Sequence, residues 1–254
     1  MCGNVHRRVT GERNAGLNMG VGHKIEAGNA GWTFDGKTAD TFVEHIRQSV
    51  PLYDEGHDLV CQLSDFFVSD VSTCYEIGTS TGELLKKLAV HNQAKTGAKW
   101  IGIDPVGPMI DKARDHCAGI ANIELLHEDA RLFDYQKADL IVSYYTMQFI
   151  PPRDRQQLID KLYEALHWGG ALIMFEKVRA PDARFQDILT TLYADFKLRN
   201  GFTGDEIVSK ARSLKGILEP FSTQGNLDLM TRAGFVDITT VQKYLCFEGF
   251  LAIK

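Results

Sequence analysis

The segment Tyr75-Glu76-Ile77-Gly78-Thr79-Ser80-Thr81-Gly82 places two glycines four residues apart at the end of an apolar, strand-like run, Ser72 to Ile77. Glu83 to His91 then reads as a helix. Gly78 permits a backbone conformation that a side chain would obstruct, and Gly82 lets the helix start pack closely against a strand or a ligand. Such a loop lies beyond the carboxyl end of a strand, where open α/β sheets bind ligands. It is not a dinucleotide fingerprint, because G-x-G-x-x-G needs glycine at positions that hold Ser80 and Glu83. It is not a phosphate loop either, because Gly82 is followed by Glu83 and Leu84. A carboxylate there would repel a pyrophosphate, so the loop suits a ligand without phosphates.

The alternation continues downstream. Trp100 to Ile103 reads as a strand, Pro108 to Cys117 as a helix, and Ile123 to Leu126 and Leu140 to Ser143 as strands. Arg153 to Leu166 is an amphipathic helix for which Gly169 and Gly170 supply a stop signal, and His167 falls at its C-terminus. Ala171 to Glu176 is the fifth strand. Pro181 to Pro220 interrupts the pattern with two or three helices, broken near Asn200 and Gly201. Asn226 to Ala233 is a helix, and Val236 to Tyr244 and Leu245 to Ile253 close the chain as strands, with Glu248 and Gly249 as a turn or bulge. A pair so close in sequence is antiparallel. Upstream, Phe42, Ile46 and Val50 form a helical stripe stopped by Pro51, and Leu59 to Val68 reads as a second helix. The expected fold is α/β: a seven-stranded, mostly parallel sheet with helices on both faces, a reversed strand at or near one edge, and a helical insertion at 181–220.

Composition bounds the function. The 254 residues carry 28 Lys and Arg against 33 Asp and Glu, a net charge of −5, which argues against direct nucleic-acid binding. No apolar run is long enough to span a membrane, and the N-terminus has no apolar signal region, so a cytoplasmic protein is expected. Five scattered cysteines without a CxxC pair fit reduced thiols and no metal site. Residues 1–31 are rich in Gly and Asn and carry a net charge of +2; they read as a tail, either loosely attached or packed as an arm over a site. The main domain is expected over 32–254.

Acidic residues recur at successive strand ends. Asp104 ends the second strand, about 20 residues beyond the glycine loop, where a carboxylate can take both hydroxyls of a ribose. Glu128-Asp129-Ala130 follows the third, where a carboxylate and a backbone amide can read an adenine. The order E-x-G-x-x-x-G, Asp104, Asp129 and L-x-x-G-G-x-L-x-x-x-E (Leu166 to Glu176) resembles the class I S-adenosylmethionine-dependent methyltransferases, with their Rossmann-like sheet. The segments W-T-F-D (Trp32 to Asp35), Q-S-V-P-L-Y (Gln48 to Tyr53), T-M-Q-F-I (Thr146 to Ile150), G-G-A-L-I-M-F-E-K (Gly169 to Lys177) and D-F-K-L-R-N-G-F (Asp195 to Phe202) look like the carboxy-S-adenosylmethionine synthase family. That family uses S-adenosylmethionine and prephenate to make a carboxylated sulfonium for tRNA wobble-uridine modification. Two departures stand out. Tyr144 replaces an Asn of the family, and an ungapped match sets Lys210 and Ala211 on its Lys-Arg pair, whose Arg grips the added carboxylate. Arg212 lies one residue on, about 100° around a helix. On that ground the sequence favours methyl transfer to a small acceptor, with synthesis of carboxy-S-adenosylmethionine as the alternative and a cofactor-binding module without chemistry as a third reading.

The resemblance implies the site. Gly78 and Gly82 flank the methionine moiety, Asp104 holds the ribose, and Asp129 and Ala130 face the adenine; Glu76, Thr79, Pro105, Met109 and Ser143 complete the cofactor set. Tyr53 and Gln148 sit near the sulfonium and the acceptor. Candidates for the acceptor are Tyr144, Tyr145, Glu176, Lys177 and Tyr193, with Arg199 and Arg212 as bidentate forks for an acceptor carboxylate. No histidine is assigned as a base. A homodimer is expected by resemblance alone.

Overall fold

The structure is a computed structural model that describes residues 19–21, 26–27, 30–33 and 37–254. Phe42, like the rest of the opening turn of its helix, lies outside the residues whose side chains are described. Two short strands, β1 (Met19–Gly20) and β2 (Glu26–Ala27), pair antiparallel. They are followed by α1 (Lys37–Ser49) and α2 (Tyr53–Ser64). The alternation then runs β3 (Thr73–Ile77), α3 (Glu83–His91), β4 (Lys99–Asp104), α4 (Gly107–His116), β5 (Ile123–His127), β6 (Ala138–Tyr144), α5 (Pro152–Ala165) and β7 (Leu166–Lys177). Helices α6 (Ala183–Arg199) and α7 (Gly204–Ser213) form the insertion, and α8 (Thr223–Ala233), β8 (Asp237–Tyr244) and β9 (Phe247–Ile253) close the chain.

The main sheet has seven strands in the order β5-β4-β3-β6-β7-β9-β8. The five strands from β3 to β7 are parallel, and β9 runs antiparallel to both β7 and β8. The reversed strand is therefore next to the edge. Along β7 successive side chains alternate between two cores, as a pleated strand buried on both faces requires. Ile173 and Phe175 pack with Leu84, Leu85 and Leu88 of α3 and Val60 of α2. Leu172 and Met174 pack with Leu158, Ile159 and Leu162 of α5 and Leu229 and Met230 of α8. Each such side chain contributes roughly 1.5–3 kcal/mol by leaving water. Strand order reverses direction at β3, between β4 and β6, so the crevice beyond its carboxyl end is open to a ligand.

Four boundaries differ from the sequence reading. Helix α2 begins at Tyr53 rather than Leu59, because Leu52 turns the chain in a left-handed conformation (φ 56°) just after Pro51. Helix α5 ends at Ala165 because Leu166 is already extended; Gly169, Gly170 and His167 lie within β7, so the glycines do not stop the helix and His167 does not cap it. Glu248 and Gly249 lie inside β9, the chain reversal is at Leu245–Cys246, and the irregularity falls on β8 between Thr240 and Gln242. Asp237 rather than Val236 opens β8.

The insertion is fastened over the carboxyl ends of the strands. Asp182 caps α6 through Phe185 N–H, and Thr203 with Glu206 forms a reciprocal capping box on α7. The Tyr193 hydroxyl donates to the Ser49 carbonyl (2.8 Å), and the Asn200 amide to that of Gln48 (3.3 Å), which ties α6 to the end of α1. Val21 and Trp32 are buried against Leu214 and Ile217 at the end of α7, and Ala30 and Trp32 N–H donate to the Arg212 and Ser213 carbonyls.

Candidate active site

A cavity of about 500 Å³ lies beyond the carboxyl ends of β3, β4 and β6, under α1, α2 and the insertion. That is within the range that holds a small ligand. One wall is the loop after β3. Gly78 has φ +70°, and a Cβ there would overlap the Thr146 side chain, so only glycine fits. Its N–H and that of Thr79 both reach the Ile103 carbonyl, which fixes the loop against β4. Ser80 follows with φ 51°, a conformation costly for a residue with a side chain. Gly82, φ +77°, packs against Ala113 and Cys117 instead of the cavity; its role is to let α3 approach α4.

Asp104 stands at the end of β4, 7% exposed. Its two oxygens accept from the N–H groups of Ser80 (2.9 Å) and Val106 (2.9 Å). Burial raises its pKa. A carboxylate has acceptor capacity beyond these two bonds, so Asp104 can still take ribose hydroxyls. Pro105 and Met109 line the same wall, as do Asp129 and Ala130. Asp129 already holds Arg131 bidentately, with Nη2 at 2.6 Å, and this lowers its pKa. An adenine amine would share that carboxylate with the guanidinium.

Glu76 forms the floor. It is 3% exposed and accepts from the Thr79 hydroxyl (2.7 Å), and burial pushes its pKa up to about 8. A cation placed beside it would be favoured by its ionised form. The Gly78 cradle, the spare acceptors of Asp104 and the buried Glu76 therefore fit S-adenosylmethionine with its sulfonium.

The far wall is aromatic. Tyr53, Tyr144, Tyr145, Tyr193 and Phe247 line it. The Tyr144 hydroxyl donates to the Tyr53 carbonyl (2.7 Å) and occupies the space that a Cβ at Gly56 would need. Tyr145 has φ 58°, held by its N–H to the Phe175 carbonyl (2.7 Å). Gln148, on a 3-10 turn over 147–149, lines the cavity and clamps the end of β7 by accepting from Lys177 N–H (2.9 Å). Glu176 is buried behind this turn, accepts from Met147 N–H (2.9 Å), and does not line the cavity; burial raises its pKa to about 8. Ser143, also expected at the cofactor, is wholly buried inside β6 and does not reach the cavity wall.

The insertion brings positive charge, from residues other than those expected. Arg199 and Arg212 are exposed and do not line the cavity. Ala211 is exposed as well. On α6 and α7 the inward cations are Lys197, which is buried, and Lys210, which is half-buried and lines the cavity. The Lys210 ammonium contacts His45 Nε2, bonds Ser49 Oγ at 3.2 Å and lies 5.2 Å from the Trp32 ring. Lys177 and Lys197 each lie over the Tyr193 ring, at 4.5 and 4.4 Å. Burial lowers the pKa of all three, and their mutual repulsion lowers Lys197, to about 8, and Lys210 further. Among the described residues, no carboxylate stands within ion-pair distance of any of them. His45, His57, Trp32, Arg131 and Thr146 also line the cavity and lie outside the expected site residues, although Trp32 and Thr146 open segments that carry the family resemblance. The i, i+4 spacings of Tyr53 with His57 and of His45 with Ser49 were the available signal, since each pair shares a helix face.

Comparisons with known proteins identify the family and the fold. A family model described as "Methyltransferase domain" matches residues 75–170. The carboxy-S-adenosyl-L-methionine synthase of Staphylococcus epidermidis is 39% identical over 224 residues, 88% of this chain and 97% of that protein. The enzyme of the same name from Campylobacter lari is 33% identical over 222 residues, 87% of this chain and 94% of that one. Among solved structures, the magnesium protoporphyrin IX methyltransferase of Synechocystis with bound S-adenosylhomocysteine superposes with TM-score 0.61 at 15% identity, covering 87% of this chain and 96% of that one. The N-methyltransferase NodS of Bradyrhizobium japonicum gives TM-score 0.55 at 19% identity, over 82% and 88%. On the extent of its match to these synthases, the chain belongs to the carboxy-S-adenosyl-L-methionine synthase family, within the class I S-adenosylmethionine-dependent methyltransferases.

Proposed function

We propose that the protein carboxylates the sulfonium methyl of S-adenosylmethionine. S-adenosylmethionine, when bound, supplies a methyl group activated by the sulfonium. The carboxylate comes from a carboxylated donor, prephenate by resemblance: the donor's ring C–carboxylate bond breaks as its ring hydroxyl leaves as hydroxide and the ring becomes aromatic, a C–C bond forms between the methyl carbon and the carboxylate carbon, and the proton lost from the methyl neutralises the hydroxide as water. Donor and product are both anions. The observation that carries the reading is the group Lys177, Lys197 and Lys210, one buried and two half-buried cations without an acidic partner among the described residues, of which Lys177 and Lys210 line the cavity. Buried charges are normally paired, so an anionic ligand is the missing partner. Lys210 would take over the role of the family's α7 arginine. The surrounding aromatic walls exclude water, which strengthens the pairing and protects reactive carbon species from solvent. Asp104 and the Gly78 loop hold the nucleoside and methionine ends, and Glu76 supplies negative charge near the cation.

A second reading, methyl transfer to a small carboxylate-bearing acceptor, draws on Ala211, which stands where the family carries arginine, and on the exposure of Arg212. Mass spectrometry of ligand released from the purified protein separates the two. A carboxylated sulfonium is expected; S-adenosylmethionine or S-adenosylhomocysteine alone would favour methyl transfer.

A further inference from the structure

The Lys210 ammonium is held by segments that lie far apart in the sequence. From α1, the buried His45 presents Nε2 to it and Ser49 presents Oγ at 3.2 Å. From the N-terminal arm, the Trp32 ring lies 5.2 Å away, and from the loop before α7 the Phe202 ring lies 5.9 Å away. The same two rings flank the imidazole of His45, at 5.7 and 5.5 Å between centroids. Imidazole and ammonium therefore share one aromatic slot, and Trp32 N–H ties the arm that closes it to the Ser213 carbonyl at the end of α7.

The chemistry of the atoms sets their roles. A charged ammonium has three N–H donors and no acceptor, so His45 meets it with the lone pair of Nε2 and carries its own proton on Nδ1. The Ser49 hydroxyl donates to the His45 carbonyl one turn back, which leaves its lone pairs to accept from Lys210. Two of the three N–H groups are taken in this way, and the third is left for the cavity, which Lys210 lines. Burial and the charges of Lys197 and Lys177 disfavour the protonated lysine, whereas acceptors bonded to the ammonium favour it. A lysine stem is also flexible, so only such contacts give its charge one direction.

We propose that His45 is a positioning residue: together with Ser49 it keeps the Lys210 ammonium charged and aimed, so that a single N–H meets the carboxylate of the ligand. Lys210 then grips that carboxylate as a point charge and not as a fork. The inference rests on the anion-binding reading above.

The test uses calorimetry on the protein saturated with S-adenosylhomocysteine, with prephenate as the probe. His45→Leu, which removes the acceptor, should weaken prephenate roughly tenfold, the scale of one hydrogen bond to a charged group. S-adenosylhomocysteine affinity should stay within about twofold, which also shows that the variant folds. His45→Gln restores an acceptor and should recover most of the loss, and Ser49→Ala should weaken prephenate by a smaller factor than His45→Leu. Nitrogen-15 NMR reads the aim directly: the Lys210 ammonium signal, assigned by its loss in Lys210→Met, should be protected from solvent exchange in the ligand-free wild type and broadened in His45→Leu. Unchanged prephenate affinity in His45→Leu, an equal loss in His45→Gln, or an ammonium signal that does not respond to His45→Leu would overturn the positioning role. If Lys210→Met weakens prephenate and His45→Leu does not, the anion-binding reading stands and the role of His45 alone is refuted. If the wild type binds no prephenate, or Lys210→Met binds it as well as the wild type, that reading of Lys210 fails and the role of His45 fails with it.

Discussion

Asp104 reaches its place by the end of β4 and by two backbone N–H bonds, and keeps acceptors for a ligand. Asp104→Ala should weaken S-adenosylmethionine binding roughly 10- to 100-fold, the scale of one or two hydrogen bonds to a charged group; calorimetry reads this directly, and unchanged affinity would remove Asp104 from the ribose site. Glu76 makes a different prediction. With its pKa near 8 it is largely protonated at neutral pH, and a sulfonium beside it favours ionisation. Binding of S-adenosylmethionine should therefore release protons near pH 7, measured as a dependence of the calorimetric heat on buffer ionisation, and Glu76→Gln should abolish the Glu76 share. Asp104 and Glu76 were legible because a strand pattern followed by a carboxylate fixes which end of the sheet it occupies. The choice between Arg199 and Lys197 was not. They are two residues apart on one helix, about 200° around it, and only the packing of α6 over Tyr193 decides which faces inward.

Helix α7 carries Lys210, and its start is held by the Thr203–Glu206 capping box. Thr203→Ala should cost about 1 kcal/mol of stability. If α7 positions the anion site, the same change should weaken binding of an anionic ligand more than binding of S-adenosylhomocysteine. Equal effects on both, by calorimetry, would detach α7 from the anion. The loop after β3 has a stricter requirement. Gly78→Ala brings a Cβ into the Thr146 side chain at a positive φ, and S-adenosylmethionine binding should fall at least tenfold. The alternation of strands and helices was legible from apolar runs and glycine breaks. The end of α5 was not, because Leu166 leaves the helix before the glycines and begins β7 without a turn residue. The start of α2 was hidden by Tyr53, Gly56 and His57, whose burial against Tyr144 owes little to apolar periodicity.

Across the whole molecule, the sheet buries two carboxyl groups, Glu76 and Glu176, whose folded-state pKa values are about 8 against an ordinary 4.5. Between those values the folded protein holds protons that the unfolded chain has lost. Their contribution to stability is therefore full below about pH 4.5, falls as pH rises to about 8, and is level above that, with a slope of at most about 1.4 kcal/mol per pH unit for each group. The buried lysines act in the opposite sense, since the unfolded chain keeps their protons longer. Glu176→Gln compared with wild type isolates one carboxyl: urea unfolding should show a smaller loss of stability between about pH 6 and pH 8 in the variant. The mostly parallel sheet and the reversed strand near its edge followed from sequence, because the alternation of strands and helices requires parallel strands and the closing pair is joined too tightly to be parallel. The anion site did not, since it draws Lys177 from β7, Lys197 from α6 and Lys210 from α7, three segments that only the fold brings together. The direct test of the function is to incubate the purified protein with S-adenosylmethionine and prephenate and weigh the sulfonium product by mass spectrometry. The expected product is heavier than S-adenosylmethionine by one carbon dioxide and is lost in Lys210→Met; unchanged S-adenosylmethionine, or S-adenosylhomocysteine with a methylated acceptor, would contradict carboxylation.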